Sequence, residues 1–98
     1  MIILYIARDF YCKYCDSAEK LLRMYNIHHK IIPLNRSEIE QMKYNTGKHG
    51  VPYIFTKKGD FIGGYEDLER WIDLSYDMNY YSERDLKQIA KTLHEKIK

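Results

Sequence analysis

Cysteine is nearly absent from this chain of 98 residues: there are two, Cys12 and Cys15, and none elsewhere. That excludes a secreted disulfide scaffold, which carries more cysteines and spreads them along the sequence. A long apolar run is also missing. The N-terminal stretch Ile2 to Ala7 is too short to span a bilayer and has no positively charged segment before it. Without an export signal, the expected compartment is a reducing cytoplasm, with no membrane partner. Charge of one sign is lacking too: 16 basic and 14 acidic side chains are interleaved to a net charge of +2. No basic block points to nucleic acid. Prolines number two and glycines five, and no low-complexity segment or internal repeat is visible. The length allows one compact domain with one modest core, expected to be a monomer.

What is present alternates between strand and helix signals. Ile2 to Ala7 reads as a buried strand, and Arg8 to Tyr11 as a loop that delivers Cys12. From Lys13 the pattern turns helical, with Ala18, Leu21, Leu22 and Tyr25 on one face and Asn26 as the stop. His28 to Leu34 is a second strand, which completes a βαβ unit with parallel strands. Asn35 or Ser37 caps a second helix through Ile39 and Met42, ended by Thr46-Gly47. Tyr53 to Thr56 and Phe61-Ile62, joined by Lys58-Gly59-Asp60, form a hairpin. Gly63-Gly64 breaks the strand, and a third helix runs from Tyr65 to Leu74 with Leu68, Trp71 and Ile72 inward.

After a Tyr-rich connection with Tyr76, Tyr80 and Tyr81, Ser82 begins an N-cap pattern. Leu86, Ile89, Ala90, Leu93 and Ile97 follow at helix spacing, predicting a fourth, amphipathic helix. The expectation is an α/β fold: a four-stranded mixed sheet flanked by helices, with residues 1–74 as the main unit and residues 75–98 packed on it.

The chemistry is concentrated in Cys12-Lys13-Tyr14-Cys15, where a strand hands over to a helix. A helix N-terminus has unpaired N–H groups and a positive partial charge, which favour thiolate at Cys12. Lys13 adds a nearby cation. Cys15 lies one turn later, within reach of Cys12 and deeper, so it suits a resolving role. A buried inert pair or half a zinc site are the alternatives. Cys15 to His28 has finger spacing, but His28 and His29 are adjacent and the next is His49, so the histidine pair three to five residues apart that such a site needs is missing. Redox chemistry is therefore preferred, with no metal site expected.

At this point the chain resembles a glutaredoxin over residues 1–74. Cys12-Lys13-Tyr14-Cys15 is similar to the family's C-P-Y-C, with Lys13 in place of Pro. Ala18 with Leu21-Leu22 matches its first helix. Thr46-Gly47 followed by Val51-Pro52 resembles T-G…T-V-P, with Gly50 at the Thr position. Ile62-Gly63-Gly64-Tyr65-Glu66-Asp67-Leu68 is close to I-G-G-x-x-D-L.

The resemblance implies a thioredoxin-like fold and a glutathione-dependent thiol–disulfide oxidoreductase. No cofactor would be bound, and glutathione would be the reductant. Its partners would be disulfide-containing or glutathionylated proteins. It implies a cis Val51–Pro52 bond facing Cys12 and Cys15, although on the residues alone Pro52 is simply a proline at a strand start. It places glutathione along Lys13, Tyr14, Val51, Pro52 and Gly64, with backbone at Tyr65 and Glu66 meeting the γ-glutamyl carboxylate and Asp67 its ammonium. On the residues alone, Glu66 and Asp67 complement a helix dipole. The family's basic residue three before the first Cys is Asp9 here, which leaves Arg8 as the candidate for the glycyl carboxylate. Ile39 stands where a polar contact is common, with Lys48 as its candidate replacement. Two other readings stay open: a redoxin reduced by a thioredoxin-reductase-like flavoenzyme, and a non-enzymatic binding or iron–sulfur module on the same fold.

Overall fold

The computed structural model describes residues 1–75. The elements run β1 (Ile2–Ala7), α1 (Lys13–Met24), β2 (His29–Leu34), α2 (Arg36–Thr46), β3 (Tyr53–Thr56), β4 (Phe61–Gly63) and α3 (Tyr65–Ser75). The expected fourth helix and the cluster at Tyr76, Tyr80 and Tyr81 lie outside the described residues.

The apolar β1 occupies the sheet interior. It pairs in parallel with β2, from Ile2 opposite His29 to Ala7 opposite Leu34, and antiparallel with β3, from Ile2 opposite Thr56 to Tyr5 opposite Tyr53. β4 closes the antiparallel side through an irregular register at Ile54 and Phe55, and the order is β2-β1-β3-β4. β2 is an edge strand, which explains how it accommodates Pro33: the missing N–H is tolerated where no second neighbour needs it.

The alternation of β1 sends Ile2 and Leu4 to one face, where both are buried. α1 and α3 cover that face. Ala18, Leu21 and Leu22 from α1 and Leu68 and Ile72 from α3 join Ile2, Leu4, Ile27 and Ile54 in one core cluster. Each large aliphatic side chain buried there contributes roughly 1.5–3 kcal/mol. Trp71, expected inward, is partly buried and packs against this cluster from outside. On the other face the rings of Tyr5 and Phe55 meet edge to face, with centroids 5.6 Å apart.

Helix ends follow local chemistry. Asn26 takes φ 55°, the left-handed conformation asparagine tolerates, and its N–H donates to Arg23 O as α1 stops. Of the two candidate caps for α2, Asn35 is the one used. Its side chain accepts from Glu38 N at 2.8 Å, while Glu38 Oε1 accepts from Asn35 N at 2.9 Å. Gly47, at φ 78°, closes the other end. Gly63 was expected to interrupt the strand and instead completes β4. Its φ is 128°, and a Cβ there would run into the Asp67 carboxylate, so only glycine fits.

Candidate active site

Cys12 is the N-cap of α1. Its extended backbone (φ −129°, ψ 106°) turns the chain from the loop into the helix, and its Sγ accepts a hydrogen bond from Cys15 N at 3.1 Å. One turn on, Cys15 faces the core and is 4% exposed, whereas Cys12 is half-buried. The two sulfurs are joined as a disulfide, with Cα atoms 5.2 Å apart. The spacing that puts both cysteines at a strand-to-helix junction thus leaves one at the surface and hides the other.

The segment between α2 and β3 forms the facing wall. The Val51–Pro52 bond is cis, and Val51 O lies 3.9 Å from Cys12 Sγ. Tyr53, buried at the start of β3, holds this segment from beneath: its hydroxyl donates to Lys48 O at 2.7 Å. Lys48 Nζ donates to Gly50 O and stands 5.1 Å from the centroid of the Tyr53 ring. Burial lowers the Lys48 pKa below its ordinary value, partly opposed by the carboxylate of Asp67. Burial likewise raises the Tyr53 phenol.

A third wall is the start of α3. Leu68 N donates to Gly64 O at 2.9 Å, the first bond of the helix, and Asp67 Oδ2 accepts from Gly64 N at 2.9 Å. Asp67 therefore satisfies one N-terminal donor of the helix itself. The Tyr14 and Tyr65 rings lie 6.3 Å apart and link this end of α3 to the Cys12 turn.

Two grooves meet at this junction, and Cys12 lines the larger. The smaller, about 200 Å³, brings together seven of the residues expected to contact glutathione: Tyr14, Val51, Pro52, Gly64, Tyr65, Glu66 and Asp67. Lys48 lines it too. The larger, about 760 Å³, contains Cys12, Lys13, His49 and Ile39, together with Phe10, Tyr11, Arg36 and Glu40. Tyr14 and Val51 line both.

Arg8 lines neither groove. It is the first residue of the loop after β1, where its N–H donates to Leu34 O at 2.8 Å, and its exposed side chain pairs with Asp9 at 3.2 Å. Lys48, considered as a substitute on the Ile39 side, lies in the opposite groove. Phe10 and Arg36 were missed by the sequence reading. The signal for Arg36 was its place directly after the α2 cap; Phe10 had none beyond adjacency to Tyr11.

Comparison with known proteins agrees with this arrangement. The glutaredoxin family model matches residues 2–62, a span that carries both cysteines and the cis-proline. Mitochondrial glutaredoxin-2 of Pongo abelii is 38% identical over 64 residues, covering 60% of this chain and 39% of that protein. The matched part is thus about two-fifths of the relative's length. Among solved structures, a glutaredoxin from Brucella melitensis is 26% identical with a TM-score of 0.58, covering 76% of this chain and 79% of that one. A buckwheat glutaredoxin–glutathione complex superposes with a TM-score of 0.63 at 23% identity, covering 71% and 66%. The fold is thioredoxin-like, and with more than half of its length matched to the family model, the chain belongs to the glutaredoxin family.

Proposed function

We propose that this chain is a glutathione-dependent thiol–disulfide oxidoreductase that reduces protein disulfides and glutathione mixed disulfides through Cys12 and Cys15. The observation that carries the reading is Cys12 as an N-cap: its sulfur accepts a backbone N–H and the residue is partly exposed, while its bonded partner Cys15 is buried. Such an acceptor geometry at a helix N-terminus stabilises a thiolate in the reduced protein.

In the reduced enzyme, the Cys12 thiolate attacks a substrate disulfide. One substrate sulfur leaves as thiolate, and Cys12 is joined to the other. The Cys15 sulfur, deprotonated, then attacks Cys12 Sγ, forms the intramolecular disulfide and releases the second substrate thiolate. Glutathione thiolate attacks Cys12 Sγ of that disulfide and frees Cys15. A second glutathione takes the first as glutathione disulfide and restores the Cys12 thiolate. A glutathionylated substrate transfers its glutathione to Cys12 and needs no second cysteine. The smaller groove takes the γ-glutamyl end, with N–H groups at the start of α3 for its carboxylate and Asp67 for its ammonium. The setting is a reducing compartment such as the cytoplasm, and the working form is a monomer.

The test is a glutathione-coupled reductase assay on wild type and two variants. Cys12→Ser should lose all turnover. Cys15→Ser should keep reduction of glutathionylated substrate and lose reduction of protein disulfides. Turnover by Cys12→Ser would overturn the nucleophile assignment.

A second reading keeps the chemistry and changes the electron donor to a thioredoxin-reductase-like flavoenzyme. Arg8 lies outside both grooves, Ile39 lines the larger one, and Phe10 and Tyr11 stand exposed beside Cys12. These features favour a protein donor over a strong grip on the glycyl carboxylate. Reduction by such a flavoenzyme without glutathione would support it.

A further inference from the structure

Lys48 is a cation in an unexpected place. It follows Gly47, the C-cap of α2, and its half-buried stem crosses Gly64: a Cβ built on Gly64 would lie 2.6 Å from Lys48 Cε and 3.2 Å from Nζ. Lys48 thus forms one wall of the 200 Å³ groove, and the start of α3 with Asp67 forms another. One ammonium, the carboxylates of Glu66 and Asp67 and a helix N-terminus share a groove adjoining the cis Val51–Pro52 turn, and Asp67 is the carboxylate whose charge acts on Lys48.

The chemistry that satisfies Lys48 and Asp67 at once is an α-amino-acid end, with a carboxylate and an ammonium on one carbon. A simple anion would leave Asp67 repelled, and a simple cation would leave Lys48 repelled. The Lys48 ammonium has three donors. Gly50 O takes one, which leaves the others for a ligand. Its burial penalises the charge, and a bound carboxylate would offset that penalty. Asp67 gives one oxygen to Gly64 N, and its other oxygen is not needed for that bond.

We propose that Lys48 is a specificity-determining residue whose ammonium pairs with the α-carboxylate of the γ-glutamyl end of glutathione, so that the groove reads an amino-acid zwitterion and not merely an anion. This rests on the glutathione reading above for the identity of the ligand. Lys48 touches only the remote end of that ligand, so it acts on binding and not on the sulfur chemistry.

The test measures calorimetric binding of two probes to the oxidised protein. One is S-methylglutathione. The other is its analogue with 4-aminobutanoyl in place of γ-glutamyl, which keeps the amine and lacks the α-carboxylate. Wild type should bind S-methylglutathione more tightly. Lys48→Met should weaken that binding roughly three- to tenfold, the range expected for a partly exposed charge-assisted pair, and leave the analogue nearly unchanged. Lys48→Arg should keep most of the affinity for S-methylglutathione, which shows that charge and not a folding defect is at issue. In turnover, Lys48→Met should raise KM for glutathione and leave kcat unchanged.

Equal weakening of both probes would make Lys48 a structural clip and overturn the proposal. So would a wild type that binds the two probes alike or binds neither. Carboxylate-dependent binding together with absent glutathione-coupled turnover would sustain Lys48's role and overturn the reductase reading instead.

Discussion

Tyr53 illustrates how a residue with no part in the chemistry sets the site. Its ring is fully buried at the start of β3, and its hydroxyl donates to Lys48 O at 2.7 Å. Burial raises its pKa above 10.0. The folded protein keeps the phenol proton where the unfolded chain has already lost it. This group's stabilisation is therefore complete below pH 10.0 and is lost as pH climbs through the higher folded-state value. Lys48 works in the opposite sense, because its lowered pKa makes the folded state less costly as its charge is removed. Tyr53→Phe should cost about 1 kcal/mol at neutral pH through the lost hydrogen bond and should flatten the alkaline fall in stability. Urea unfolding at neutral and alkaline pH checks both.

Residue identity in the sequence was a good guide where local chemistry decides position. Cys12 and Gly64 are placed by the helix starts that follow them, and Cys15 by its position in the first turn of α1. Arg8 and Lys48 show the limit. Where the Arg8 side chain goes depends on how the loop leaves β1, and there its backbone is tied to Leu34 O of the neighbouring β2, which is far off in sequence. Which groove Lys48 enters depends on the bare backbone at Gly64, sixteen positions on.

At the scale of elements, α2 differs from α1 and α3. α1 buries Cys15, Ala18, Leu21 and Leu22, whereas α2 buries no residue. With little packing to hold it, α2 depends on its ends: the reciprocal Asn35–Glu38 bonds and the left-handed Gly47. It also supplies Arg36, Ile39 and Glu40 to the larger groove. Asn35→Ala should therefore cost about 1 kcal/mol, and hydrogen exchange should show faster opening of α2 than of α1. Equal exchange in both helices would contradict this account. The strand and helix order was legible because apolar period and cap residues agree along the chain. The lack of full burial in α2 was not, since Ile39 and Met42 lie a turn apart on one side of the helix and only the assembled fold shows that both stay partly exposed among the described residues.

For the whole molecule, topology explains why the site forms where it does. β1 ends at the loop that delivers Cys12, β3 begins directly after the cis Pro52, and these two strands are neighbours in the sheet. The α3 start is brought alongside by β4, which pairs with β3. Three segments remote in sequence therefore converge at one end of the sheet. The mixed order could be anticipated from a βαβ unit followed by a hairpin. The cis bond could be expected only from the family resemblance.

The contrast in exposure between the paired sulfurs has a practical result. After mild reduction, a small alkylating reagent such as iodoacetamide meets a partly exposed Cys12 and a Cys15 on the buried face of α1 at 4% exposure. Intact-mass spectrometry should record a single adduct per chain in native buffer and two in denaturant. That stoichiometry would make Cys12 a unique handle for attaching a probe or trapping a captured substrate.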